Sequence, residues 1–359
     1  MKTPLHDVHT GLGASFTDFA GWSMPVRYSS DLAEHRAVRE AAGLFDLSHM
    51  GEIELSGPQA ADALDYALVG KLSAVKVGRA RYTMMCDAEG GVLDDLVVYR
   101  LGDERYLVVA NAGNAAVVSA ELAARADGFD TEVTDRSAGT ALIAVQGPRA
   151  AAIVGRVSDA DLDGLKYYAS TAAVVGGQEV LLARTGYTGE DGFELFVPAE
   201  RAAAVWRVLS EAGEGDGLTP AGLACRDTLR LEAGMPLYGN ELSTVVTPFA
   251  ANLGRVVKFD KPGDFVGRAA LEKRQEPAKV LVGLKGSGRR APRHGYRILS
   301  GEDEVGEVTS GALSPTLGYP IAMAYVPREL AEPGTTLAAD IRGRHEPVEV
   351  VALPFYQRS

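Results

Sequence analysis

Two acidic residues stand in the middle of an apolar run, Gly91-Val-Leu-Asp-Asp-Leu-Val-Val-Tyr99. If the run is a strand, its period of two sends Asp94 and Asp95 to opposite faces. One acid shares a face with Val92, Leu96 and Val98, the other with Leu93, Val97 and Tyr99. They cannot form a dyad in one pocket, and at most one belongs to a site. An acid among apolar neighbours tends towards a raised pKa, which suits proton transfer near neutrality. The alternative is a bulged or edge position at which both reach water.

A third carboxylate, Glu194, interrupts the apolar strand pattern Phe193-Glu-Leu-Phe-Val197. Either it has a buried partner, since burying it alone is expensive, or it faces solvent beside a tight turn. Just before it, Gly186, Gly189 and Gly192 fall within seven positions. Glycine lets a backbone take positive φ or accept a close neighbour, so this segment is shaped around something.

Arg226 and Arg230 are four apart in a helical pattern and share a face. They suit a carboxylate or other anion, or else they are a solvated pair. The six histidines show no metal-ligand spacing, so no metal site is expected. Ser48-His49 and the two cysteines form no nucleophile-and-base arrangement. The run Gly286-Ser-Gly-Arg-Arg290, with Arg293 and His294, is a local basic patch. It reads as a steering surface for an acidic partner or as a solvated turn.

These residues need elements to hold them. Asp31 to Ala42 reads as a helix capped by Asp31, with Glu34 in a capping box and Gly43 just past the end. Gly51 to Ser56 reads as a strand and Pro58 to Leu68 as a helix. A meander follows over Ala80–Cys86, Val92–Tyr99 and Tyr106–Ala110, with turns at the Glu89-Gly-Gly91 and Gly102-Asp103 signals. Helices are expected over 114–124, near 148–157 and over 199–212, a short helix within 262–276, and strands over 141–145 and 178–183. Thr219-Pro220 is read as the cap and first position of a helix that ends at Gly234. From Val280 onward six short β runs separated by turn signals suggest a small all-β module, with a boundary near 275–280. The earlier part mixes strands and helices without regular alternation, which favours α+β.

At 359 residues the chain can build two or three cores. Its 46% hydrophobic and 23% charged content is that of a globular protein. The net charge of −12 argues against nucleic acid or an anionic membrane as partner. Cys86 and Cys225 read as buried free thiols in a reducing compartment. No apolar run approaches the roughly 20 residues of a membrane span, and a cytoplasmic location is expected.

Six separated motifs, in order, resemble the aminomethyltransferase family, the T-protein of the glycine cleavage system. They are Asp18-Phe-Ala-Gly-Trp-Ser-Met-Pro25, Gly43-Leu-Phe-Asp-Leu-Ser-His-Met-Gly51, Gly90-Gly-Val-Leu-Asp-Asp-Leu96, Gly186-Tyr-Thr-Gly-Glu-Asp-Gly192, Ala224-Cys-Arg-Asp-Thr-Leu-Arg-Leu-Glu-Ala-Gly234 and Thr309-Ser-Gly-Ala-Leu-Ser-Pro315. The resemblance implies two α+β domains and a C-terminal small β-barrel around a central folate cavity. It places one discontinuous domain at 1–50 with 138–275, an inserted domain at 51–137 and the barrel at 276–359. It implies transfer of the methylene carbon of an aminomethyl group, carried on the lipoyl arm of H-protein, to tetrahydrofolate as co-substrate. Ammonia, methylenetetrahydrofolate and dihydrolipoyl protein result.

Matched position by position, Asp95 is the catalytic carboxylate and Glu194 holds the pterin, whose adjacent N–H donors suit two carboxylate oxygens. Arg226 is a second substrate contact, and Tyr82, Tyr187, Asn111 and Met50 line the cavity. The short tail after Phe355 departs from family members that reach back with a terminal arginine, and Arg358 lies at a different offset.

Two other readings share the scaffold. Folate-dependent demethylation domains of sarcosine and dimethylglycine metabolism usually carry a fused flavin domain, and no upstream Gly-x-Gly-x-x-Gly loop precedes these motifs. Folate-binding proteins of iron–sulfur maturation carry a cysteine where this chain has Arg184-Thr-Gly-Tyr-Thr-Gly-Glu-Asp191.

Overall fold

Four β-structures organise a computed structural model that describes residues 1–358. A two-stranded hairpin joins Ser15–Phe19 to Trp22–Arg27. A six-stranded sheet has the order Ser170–Val175, Gln178–Ala183, Gly192–Pro198, Thr140–Gln146, Ala42–Asp46 and Leu218–Pro220. A five-stranded sheet runs Ala80–Cys86, Val92–Gly102, Arg105–Ala110, Gly51–Ser56 and Glu132–Asp135. The last six strands, from Lys279–Gly286 to His345–Val351, close into a barrel. Closure removes the exposed edges that such short strands would otherwise present.

The five-stranded sheet is buried on both faces, and its alternation decides where Asp95 points. Ile53, Leu55, Leu96, Val98 and Val108 face one way, against the helices Ala60–Ala67 and Ala115–Arg125. Tyr99, Leu107, Val109 and the flanking Val97 face the other, against Phe45, Leu47, Leu142 and Phe196 around the six-stranded sheet. The strand Val92–Gly102 alternates in burial from Val92 to Val98. Asp94 therefore lies on the helix side and Asp95 on the side between the two sheets.

Local rules misplaced two elements. Leu218–Pro220 is not a helix start; it pairs in parallel with Ala42–Leu44 at the edge of the six-stranded sheet. An edge strand tolerates a proline because the missing N–H leaves no ladder bond unmade. The helix starts at Leu223 behind Gly222, whose N–H donates to Glu34 Oε2 at 2.9 Å. A Cβ at Gly222 would strike the Val26 backbone. Second, the helix Asp31–Glu40 is capped by Ser30, which accepts from the Ala33 N–H, and not by Asp31. Glu34 forms no capping box but accepts the Tyr28 and Ser29 amides as well as that of Gly222. Gly43 lies inside the strand Ala42–Asp46, where a Cβ would collide with Val38. The short helix expected within 262–276 is Arg268–Lys273.

A buried polar network ties the helices to the barrel. Arg39 donates to Glu190 and Glu232, each at 2.8 Å. Glu232 also accepts Thr316 Oγ1 at 2.7 Å and the Thr316 amide at 3.0 Å, both from the barrel's edge. His35 Nε2 lies 3.1 Å from the same carboxylate. Arg358 bonds Glu190 and the Arg39 carbonyl, so the tail closes this network and does not line the cavity described below.

Candidate active site

The space between the two sheets, the helix Leu223–Glu232 and the segment after it is a cavity of about 620 Å³. Such a volume lies within the range that holds a drug-sized ligand. Asp95, Glu194, Arg226, Tyr82, Tyr187, Asn111 and Met50 all line it. Three separate stretches of chain thus deliver one wall each: the five-stranded sheet, the glycine-rich segment before Gly192–Pro198, and the helix carrying Arg226.

Asp95 accepts the Tyr82 hydroxyl at 3.0 Å and Asn111 Nδ2 at 2.8 Å. Burial raises its pKa to about 6, although the Tyr82 and Asn111 hydrogen bonds pull it down and the Glu241 charge adds to the rise. The carboxyl is thus mostly anionic at neutral pH and exchanges a proton close to it. Asp94 is fully buried and does not line the cavity. The register slips on their own strand, where Met85 pairs with Asp94 and Cys86 with Val92 and Leu93 is left over, but Asp94 stays buried and Asp95 faces the cavity.

Glu194 has its buried partners. Its Oε2 accepts the Thr185 hydroxyl and, at 3.4 Å, that of Tyr99. Among the described residues its Oε1 accepts no hydrogen bond, which leaves that oxygen for a ligand's donor. Tyr99 follows Asp95 and Val97 at the strand's period of two, a signal by which sequence reasoning could have found it.

The glycines before Glu194 are shaped around the protein itself. A Cβ at Gly186 or Gly192 would strike the Gln146 side chain, and Gly189 has φ +79° against Ala233. Gln146 Nε2 donates to the Thr185 carbonyl at 3.0 Å, and its Oε1 accepts Thr188 Oγ1 at 2.9 Å. This turn sets Thr185 beside Glu194 and directs Tyr187 across the cavity, where its hydroxyl donates to the Pro236 carbonyl at 2.5 Å.

The two arginines share a helical stripe but differ in state. Arg230 is 1% exposed and fully engaged, with Asp227 and Glu241 each at 2.8 Å and Ser310 at 2.7 Å. The Arg226 guanidinium lies 4.7 Å from the Tyr187 ring centroid. Among the described residues it donates no hydrogen bond to protein, so it is the cavity's free cation. Burial draws its pKa below the usual value.

His49 also lines the cavity, 3% exposed, with no partner for Nδ1. Burial, and then the nearby Arg226 charge, push its pKa down to about 4, so the ring is neutral. Tyr168, at a φ of 57°, completes the wall near Glu194. Neither was expected in the cavity wall, although His49 lies within the Gly43–Gly51 motif; long-range packing brings both in. No group of acidic, histidine or cysteine side chains among the described residues could hold a metal ion. Both cysteines are buried and free.

Residues 5–261 match the family described as the GCVT N-terminal domain, and residues 279–357 match the glycine cleavage T-protein C-terminal barrel domain. The chain belongs to the glycine cleavage T-protein family of aminomethyltransferases. It is 66% identical to the aminomethyltransferase of Saccharopolyspora erythraea over 361 residues, covering 100% of this chain and 98% of that protein. It is 63% identical to that of Streptomyces coelicolor over 363 residues, covering 99% and 98% respectively. The crystal structure of the glycine cleavage system aminomethyltransferase T from Bartonella henselae superposes with a TM-score of 0.93 at 37% identity, over 99% of this chain and 98% of that one. The chain is thus an aminomethyltransferase of the glycine cleavage system, and its family implies the use of tetrahydrofolate. No helix among the described residues is long and apolar enough to cross a membrane.

The unused bonding capacity fits a folate. A free carboxylate oxygen on Glu194 suits the pterin's N–H donors, and the free Arg226 guanidinium suits an anionic or carbonyl oxygen. The aromatic walls Tyr82, Tyr168 and Tyr187 suit a planar ring.

Proposed function

We propose that this chain transfers the methylene carbon of an aminomethyl group, presented on the lipoyl arm of an H-protein, to tetrahydrofolate. Ammonia is released, and 5,10-methylenetetrahydrofolate and the dihydrolipoyl protein are left. The observation that carries this reading is the convergence of Asp95 and Glu194 on one cavity, each with hydrogen-bond donors behind it. The folate supplies the nitrogens that take up the carbon.

Asp95 acts at the reacting end. As an anion it stabilises the positive charge that develops at the migrating carbon when the carbon–nitrogen bond to ammonia breaks. Tyr82 and Asn111 hold the carboxylate in place, so it needs no reorganisation as that charge appears. With a pKa of about 6 it can also hold or release a proton during the exchange. Glu194 binds the pterin's amino end through its free oxygen, with Thr185 and Tyr99 fixing the other. Arg226 contacts the substrate as a fixed charge laid against Tyr187. Asn111, Tyr82, Tyr187 and Met50 shape the wall and exclude water.

The test is turnover by the purified chain with aminomethylated H-protein and tetrahydrofolate, followed by ammonia release. Folate-dependent ammonia formation is expected. A preparation that binds folate but releases no ammonia would overturn the assignment.

A further inference from the structure

Asp94 has no access to the cavity, yet it is bound to the residue that holds Asp95. The Asn111 amide nitrogen Nδ2 lies 2.8 Å from Asp94 Oδ1, 2.8 Å from Asp95 Oδ1 and 3.1 Å from the Asp95 carbonyl. Asp94 Oδ2 accepts the Asn111 backbone N–H at 2.9 Å, and Asp94 Oδ1 accepts Asn114 Nδ2 at 2.7 Å. An amide has only two N–H bonds to share among its three acceptors. Asn111 therefore clamps the two carboxyl groups together from opposite faces of one strand. The shared nitrogen keeps them within the roughly 4–6 Å over which neighbouring charges alter each other's proton affinity.

We propose that Asp94 is a positioning residue for the transfer reaction: through Asn111, which it holds by two hydrogen bonds, it fixes Asp95 in place. This rests on the reading that Asp95 acts at the reacting end. The arrangement explains why a fully buried acid stands on the core side of the sheet, among Leu96 and Val98, where an apolar residue would pack without cost. It also fixes which end of the Asn111 side chain faces Asp95, since both carboxyls demand a donor.

The other groups around the pair are few. Tyr82 faces Asp95 from the neighbouring strand, Tyr168 and Tyr187 from the loops around Glu194, and Tyr238 and Glu241 from the segment after Gly234. The tyrosines stay protonated at neutral pH, and Glu241 is paired with Arg230. Burial, and then Asp95, raise the Asp94 pKa to about 7. The pair thus gains and loses its protons in coupled steps.

Two measurements on the full chain test this. In the first, kcat is followed against pH for Asp94→Asn. Asp94 takes up its proton near pH 7, ahead of Asp95 near 6, so the acid limb set by Asp95 should stay near pH 6, while kcat falls on the order of tenfold across the profile and the folate KM stays within about twofold. A folate KM that rises in step with the loss of kcat would reduce Asp94 to a fold-stabilising residue and overturn the proposal. So would an unchanged kcat. The second needs no Asp94 variant to fold: carboxyl-carbon NMR of aspartate-labelled protein follows the Asp94 titration with and without Asp95→Asn. The Asp94 midpoint should fall in that variant, and an unmoved midpoint overturns the coupling. If Asp95→Asn itself keeps its turnover, the reading of the cavity fails. If turnover is lost but the titrations are independent, the role of Asp94 alone fails.

Discussion

Replacing Asp95 by Asn keeps the shape of the side chain and removes its charge, which makes it the most direct probe of the cavity. The carboxylate accepts Tyr82 at Oδ2, 3.0 Å, and Asn111 at Oδ1, 2.8 Å; in the variant the remaining oxygen keeps the Asn111 donor and the new NH2 can donate to the Tyr82 hydroxyl oxygen. The fold should therefore survive. What disappears is the attraction between an anion and the positive charge that develops at the transferred carbon. At about 4 Å and an effective dielectric constant of about 20, that attraction is about 4 kcal/mol. A loss of that size in the transition state alone lowers kcat by about 10³-fold. Folate affinity, governed by the other end of the cavity, should change only a few-fold. The wild-type rate should fall about tenfold per pH unit below a pH of about 6, as Asp95 takes up its proton. That limb should be missing from the variant's residual activity. Steady-state ammonia release and a folate titration by intrinsic fluorescence measure both quantities. A variant with kcat within about tenfold of wild type would refute the electrostatic reasoning. So would a variant whose main loss is affinity.

Glu194→Ala should show the opposite weighting: folate binding weakens by about 10²-fold, since charge-assisted hydrogen bonds contribute roughly 1.5–3 kcal/mol each, while kcat at saturation changes less. An unchanged dissociation constant in a titration would sink the pterin assignment. Arg39→Ala takes from buried Glu190 and Glu232 the cation they share, leaving Arg358 on Glu190 and His35 beside Glu232, and should cost about 3 kcal/mol in urea unfolding. The pH dependence of Glu232 follows the same network. Burial alone would raise its pKa, but His35, Ser314 and the Thr316 amide hold it down to about 2. A lowered carboxyl pKa contributes stability in full above the unfolded value of 4.5, and that contribution is lost as the pH falls through about 2. His35→Ala should shrink this acid-side loss in denaturation curves. Glu52 runs the other way. It is fully buried with no partner for either oxygen, and burial followed by the Asp135 charge raises its pKa to about 9. The folded chain then holds this proton more tightly than the unfolded one. Stability should decline as the pH rises from 4.5 to about 9, and Glu52→Met should flatten that slope in urea midpoints.

Strand periodicity was the dependable signal in this chain. It separated Asp94 from Asp95, and it placed Tyr99 on the same side as Asp95. The six barrel strands after Val280 were legible for another reason, as short runs of β-forming residues bounded by turn signals. Motif order carried the family, since six short runs in sequence are far harder to match by chance than any one of them. Local capping rules fared worse. Thr219-Pro220 satisfies the rule for a helix start, yet the open edge of Ala42–Asp46 takes those residues as a strand. Ser30 displaced Asp31 as cap because its own hydroxyl meets the Ala33 amide.

What the amino-acid order settled by itself was what each short segment can do: which faces are apolar, which turns need glycine, and which side chains can carry charge. Whether a given charge is free or satisfied was settled only by long-range packing. Arg226 and Arg230 share one helical face and one residue type, but Glu241 and Ser310 claim the second and leave the first open to the cavity. His49 enters the wall through contacts with Phe19 and the surroundings of Arg226, distant in the chain. A local window holds no record of those neighbours. Hydrogen bonding and desolvation depend on atoms within a few ångströms in space, and only the folded chain determines which atoms those are.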